Sequence, residues 1–150
     1  MAEQLFQVTN TVALIAWLPL LLLPGNRFVT DVLCRQLVPG GLALIYVAVI
    51  GWKLSAGGSP PGDPTTIAGL RQAFTDDFVF AAAWIHYLVF DMVVGSLIAR
   101  EAVARGIPWP LRSLSLLGTF LLGPAGYLLH LGLRLRWRAA AAPPLADSAS

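Results

Sequence analysis

Apolar residues run through this chain in four long blocks, separated by short clusters of proline, glycine and charge. The first block covers about 5–24, apolar from Val12 up to the Pro24-Gly25 pair. The second covers about 37–54, with Arg35 and Gln36 at its mouth. The third covers 78–99 and the fourth 114–133. Each is close to the roughly 20 residues a helix needs to cross the hydrocarbon of a bilayer. The pattern therefore predicts an all-α integral membrane protein, a compact bundle of four transmembrane helices. Trp52, Trp109 and Trp137 fall at the predicted span ends, where the amphipathic indole prefers to sit.

The segments between the blocks refine this picture. The longest connection, 53–77, opens with Ser-Ala-Gly-Gly-Ser-Pro-Pro-Gly-Asp-Pro, which is loop chemistry. Ile67, Leu70 and Phe74 then recur at helical spacing. That predicts a short interfacial helix before the third span. Gly123-Pro124-Ala125-Gly126 interrupts the fourth block and should break or bend that helix near its middle. Residues 139–150 are rich in Ala, Pro and Ser and are expected to form a disordered tail behind a four-helix domain over 1–138.

Composition agrees with the blocks. Apolar residues make up 57% of the 150 and charged residues 12%, against about 45–50% and about 25% in soluble domains. The mean hydropathy is +0.71. Lipid is therefore the expected solvent, and membrane lipid an expected partner. The single cysteine, Cys34, excludes an internal disulfide, a zinc knot and a dithiol redox pair. The net charge of +2 comes with no dense basic patch with interleaved aromatics outside the tail, so no nucleic acid partner is expected. The N-terminal segment lacks a basic leader and a small-residue cleavage site, so it is expected to be retained as a span.

Four spans would place both termini and the long loop on one face. That face would hold Lys53, Arg71, Arg134, Arg136 and Arg138, and the other Arg27, Arg35, Arg100, Arg105 and Arg112. The count ties. The dense Arg134–Arg138 cluster favours cytoplasmic termini.

Polar residues at membrane depth are the candidate chemistry. An Asp at a helix centre costs about 2.5–3.5 kcal/mol on insertion scales. The third block carries His86 and Asp91 on either side of its midpoint. Five residues apart, they point about 140° from each other on a helix. Trp84, Tyr87 and Asp91 share one stripe, and His86 lies on a neighbouring face with Phe90. Counted in from the terminus-bearing face, Asn10, Tyr46, His86, Tyr127 and His130 fall in the same half of the bilayer. They are expected to converge on a polar pocket with Asp91 near its floor. The competing reading is interhelical glue, at about 0.6 kcal/mol per hydrogen bond. It suits Asn10, Tyr46 and Tyr127 better than Asp91, whose insertion cost exceeds what one such bond returns. Arg100 and Glu101 lie past the span end and suit surface ion pairing. His130 suits a wet interface. Gly95, Gly118, Gly123 and Gly126 suit close helix packing. His86 and His130 fall on different helices without a further ligand, so no metal site and no cofactor is expected.

Three segments are distinctive in order: Ala83-Trp-Ile-His-Tyr-Leu-Val-Phe-Asp-Met-Val-Val-Gly95, Arg100-Glu-Ala-Val-Ala-Arg-Gly-Ile-Pro108, and Gly123-Pro-Ala-Gly-Tyr-Leu-Leu129. Over roughly 6–131 the chain resembles the family of small four-span membrane proteins named after the plant abscisic-acid-deficient-four protein. That plant protein is required for making neoxanthin from violaxanthin. The resemblance implies a lipophilic ligand, a carotenoid, and at most an epoxide-to-allene isomerisation without a cofactor. The chain lacks a transit-type leader, which reads as a bacterial member in the inner (cytoplasmic) membrane.

Such an isomerisation needs an acid at the epoxide oxygen and a base at a neighbouring carbon. Asp91 is the candidate proton donor and His86 the candidate base. Asn10, Tyr46, Trp84, Tyr87, Phe90 and Tyr127 are candidate substrate contacts. The alternative is a non-catalytic accessory or scaffold subunit of a membrane complex, or a homo-oligomer packed through its glycine-lined faces. A proton-coupled transporter fits the intramembrane Asp and His less well, because the chain is small and shows no repeat.

Overall fold

A computed structural model describes residues 1–56 and 62–137. The tail expected over 139–150, and residues 57–61 of the long loop, lie outside the described residues. Every regular element among the described residues is helical: α1 (Ala2–Leu22), α2 (Phe28–Ser55), α3 (Ile67–Ala73), α4 (Asp77–Ala104), α5 (Trp109–Leu122) and α6 (Pro124–Arg136). Three of these, α1, α2 and α4, are long and apolar enough to cross a membrane.

α4 is the central helix and packs against α1, α2, α5 and α6. Its start is fixed by Asp76, whose carboxylate accepts from the backbone N–H of Phe78 at 3.0 Å and Val79 at 3.2 Å. Such a cap satisfies donors that a helix start leaves unpaired. Its 28 residues span about 42 Å. That exceeds a hydrocarbon core of about 30 Å, so a membrane-spanning α4 has room for a polar turn at each end. α2 opens with wide π-type turns over Phe28–Leu37. Pro39 follows them and has no N–H to give to the tighter α-ladder. α3 is the short helix expected before the third span. Thr66 caps it, accepting from Gly69 N–H at 3.0 Å.

The segment 114–133 is not one spanning helix. The chain stops at Gly123, which adopts φ +48° and ψ −95°, and reverses into α6. The reversal follows from small residues on the facing sides. Gly126 lies on the backbone of Gly118, Thr119 and Ser115, too close for any side chain. Thr119 and Ser115 turn their hydroxyls back to backbone carbonyls one turn earlier, keeping that surface smooth. The hairpin then returns to where it began. The Arg105 guanidinium donates to the Trp137 carbonyl at 3.2 Å, and Arg134 and His130 both reach Glu101.

This reversal corrects the expected depths and faces. Ala2, Glu3 and Phe6 line one cavity with Asp77, Phe80 and Ala81, at the start of α4. Trp137 lies beside Arg105, just past the end of α4. The first residue of α1 and the end of α6 therefore sit at opposite ends of the bundle, not on one face. His130 and Tyr127 belong to the Glu101 half of α4, away from Asn10 and Tyr46.

Candidate functional site at the hairpin tip

Asp91 occupies the middle of α4. The tip of the α5–α6 hairpin meets it there. A Cβ placed on Gly123 would stand 3.1 Å from Asp91 Oδ1, 3.6 Å from Oδ2 and 3.6 Å from Tyr87 Cε2. Glycine is required at this point twice over, by its positive φ and by the carboxylate beside it. Gly123 both ends α5 and begins α6. The negative end of one helix dipole and the positive end of the other therefore meet at the carboxyl and oppose. Asp91 Oδ2 is buried and has no hydrogen-bond partner.

The remaining expected site residues fall into separate groups. Trp84 Nε1 donates to Asn10 Oδ1 at 3.3 Å. The Trp84 ring lies 5.4 Å from that of Tyr87 and 5.6 Å from that of Phe6. This ladder leads from α1 to Asp91 along the predicted stripe. His86 turns elsewhere. Its ring lies 5.9 Å from Tyr46 and 4.7 Å from Phe90, and both His86 and Phe90 are exposed on the outside of the bundle. Tyr127 stands on a third surface, the groove described next. The structure thus joins Asn10, Trp84 and Tyr87 to Asp91. It sets Tyr46, His86 and Phe90 apart from them.

A groove of about 570 Å³ opens between α4, α6 and the first turns of α2. Val94, Leu97, Ile98 and Tyr127 form its apolar walls, and Arg35, Arg100 and Arg134 stand at its mouth. Glu101 is the hub. Its Oε2 contacts His130 Nε2 at 3.0 Å, its Oε1 accepts from Arg105 at 2.8 Å, and the Arg134 guanidinium forms an ion pair with Oε1 at 3.0 Å. His130 is only 1% exposed, and its Nδ1 has no partner. Sequence reasoning missed this cluster because a full fourth span would put His130 on the opposite side from Glu101. Glu101 with Arg105, and His130 with Arg134, each at i and i+4, were the available signal. Among the described residues no three His, Cys, Asp or Glu side chains gather around one point.

Three apolar helices of membrane length, with a polar centre against a broken helix, define a helical membrane protein. The family model described as ABA DEFICIENT 4-like matches residues 4–130, and the chain belongs to that family. The family is linked to xanthophyll synthesis. No curated protein and no solved structure matches the chain.

Proposed function

We propose that the chain takes a membrane-dissolved polyene, a carotenoid, with its polar end group at the hairpin tip. Asp91 handles the proton there. The observation that carries this reading is the Asp91 carboxyl, half-way along α4, with one oxygen buried and unpartnered. Family membership supports the substrate class. A carboxyl placed so costs more than ordinary helix glue returns.

The chemistry needs no oxidant. In an epoxide-to-allene isomerisation one C–O bond and one C–H bond break, and one O–H bond and the second C=C π bond of the allene form, the C–H electron pair becoming that π bond. A protonated Asp91 gives its proton to the epoxide oxygen. The resulting carboxylate takes the proton from the neighbouring carbon and is restored. One carboxyl closes this cycle, with Tyr87 and Trp84 packing the end group. His86, the base in the two-residue version, faces the outside of α4. In that version it meets the substrate from the bilayer side, with Tyr46 and Phe90.

In the membrane, α1, α2 and α4 span and the α5–α6 hairpin enters and leaves on one side. The accessory-subunit reading is favoured by one observation, the exposed His86 on the outer face, which a protein neighbour would cover. The pigment chromatogram of host membranes with and without the gene tests the proposal. Accumulation of an epoxy-carotenoid in the deletion, rescued by the natural gene but not by Asp91→Asn, is the expected result. Failure of His86→Ala as well would restore the two-residue version. An unchanged pigment profile, or full rescue by Asp91→Asn, sinks the enzyme reading.

A further inference from the structure

The groove below the hairpin tip has the shape and charge of an amphiphile site, separate from Asp91. Its walls are apolar, from Val94 and Tyr127 down to Leu97 and Ile98. Its mouth lies at the last turn of α4, where a 28-residue helix emerges from the hydrocarbon. The arginines there outnumber their partners. Arg35 and Arg100 share the single carboxylate of Asp31, at 3.8 and 2.6 Å. Arg105 and Arg134 share Glu101. Four guanidiniums against two carboxylates leave a surplus of two positive charges. The groove-mouth guanidiniums of Arg35, Arg100 and Arg134 all retain solvent exposure. His130, nearly fully buried in the groove lining, keeps its Nδ1 without a partner.

We infer that this groove binds an anionic phospholipid, its phosphate at Arg35, Arg100 and Arg134 and one acyl chain along Val94 and Leu97. The recognised chemistry is a phosphate diester joined to a long apolar chain. Guanidiniums match phosphate oxygens in charge and fork geometry. A basic pocket between helices at the headgroup level is the usual form of such a site. The apolar walls select a lipid over a free anion, because inorganic phosphate leaves them uncovered.

The full chain, purified in neutral detergent, is melted with dioleoylphosphatidylglycerol, with dioleoylphosphatidylcholine, and with inorganic phosphate alone. Phosphatidylglycerol is expected to raise Tm by about 5 °C, as for a ligand well above its Kd. Phosphatidylcholine and phosphate are expected to give a small fraction of that shift. The double variant Arg35→Gln/Arg100→Gln, whose side chains are both exposed, should lose most of the shift. Leu97→Trp should fill the chain path and lose it too, and Arg136→Gln, off the groove, should keep it. Equal shifts from the two lipids overturn the inference. So does a full shift from phosphate alone, or a phosphatidylglycerol shift that survives both groove variants. A variant that melts normally without lipid is folded, so either groove variant decides the matter if the other does not accumulate.

Discussion

Gly123 reverses the chain against the Asp91 carboxyl, 3.1 Å from where its own Cβ would stand. The turn that makes the hairpin and the costly mid-helix acid are thus one local structure. Any side chain at residue 123 strains the backbone and presses on Oδ1 together. Gly123→Ala is expected to destabilise the protein by about 1–3 kcal/mol, the usual cost of a non-glycine residue in such a conformation. Gly132, a helical glycine with open space around its Cβ position, is the control. Gly132→Ala should be neutral or stabilising by up to about 1 kcal/mol. Thermal melts of the two variants in one detergent check the pair. Equal effects would show that neither the turn nor the carboxyl constrains residue 123.

The hairpin is held by backbone contact, and Gly126 is where that contact is tightest. A methyl there meets the backbone of Gly118 and Thr119, not the yielding end of a side chain. Gly126→Ala should therefore part α5 from α6 while leaving α1, α2 and α4 packed. Hydrogen exchange reads this directly. Amides of 115–126 should lose protection, and those of 85–99 should keep theirs. Uniform loss across the chain, or none, contradicts the expectation.

Glu101 ties the end of α6 to α4 through His130 and Arg134, and pairs within its own helix end with Arg105. Glu101→Gln leaves Arg105 and Arg134 repelling each other beside a buried His130. Hydrogen bonds to charged groups are worth about 1.5–3 kcal/mol. Partial exposure places the expected loss near the lower end of that range. Melts of Glu101→Gln, His130→Gln and the double variant measure it. The double variant should cost less than the sum of the two, because one interaction cannot be lost twice.

Much of this architecture was readable from residue pattern. The three long apolar blocks 5–24, 37–54 and 78–99 became α1, α2 and α4, since length and continuous hydrophobicity are what a bilayer selects. Ile67, Leu70 and Phe74 marked α3 correctly, and the break at Gly123-Pro124 was visible as breaker chemistry. The direction of the chain after that break was not. Hydropathy reports the environment of a residue and says nothing of which way the backbone runs, so 114–133 read as one span. The hidden signal was the spacing of Gly118 and Gly126 around the break, which lets two short helices lie on each other. The Asp91 stripe with Trp84 and Tyr87 followed from helical periodicity. The expected meeting with Tyr127 and His130 rested on depth along an assumed fourth span and did not survive the reversal, while Tyr46 meets His86 on the outer face of α4, away from Asp91.

The other end of the bundle carries a pH-sensitive tie. Lys53 bonds to Asp76, the residue that also caps α4. The Lys53 hydrogen bond, helped by the two backbone donors, holds the Asp76 carboxyl below its usual range. A carboxyl depressed by folding stabilises the protein above its unfolded pKa of about 3.9, and that contribution is lost as pH falls through the lower folded value. Asp76→Asn keeps a cap and loses the ion pair. Asp76→Ala loses both, and should cost about 1 kcal/mol more at neutral pH. Melts between pH 3 and pH 7 should show the natural chain and Asp76→Asn converging on acidification, about over the range named. Parallel curves would mean that the pair adds nothing.

The reversal at Gly123 also redistributes charge between the two ends. With Arg134 and Arg136 returned to the Glu101 end, that end collects Arg27, Arg35, Arg100, Arg105, Arg112, Arg134 and Arg136. The opposite end keeps Lys53 and Arg71. The tie that four full spans produced becomes seven against two among the described residues. By the positive-inside tendency the Glu101 end is expected to face the cytoplasm, and the first residue of α1 the other side. Single cysteines at exposed positions report this, since Cys34 is buried. Glu3→Cys and Thr65→Cys should react with a membrane-impermeant maleimide in intact cells. Gly25→Cys and Leu135→Cys should react only after permeabilisation. The pairing of sites tests the hairpin independently of orientation. Positions 25 and 135 must behave alike and 3 must differ from both, whichever way the bundle is inserted. Labelling of 3 and 135 together, with 25 apart, would require a complete fourth span and refute the hairpin.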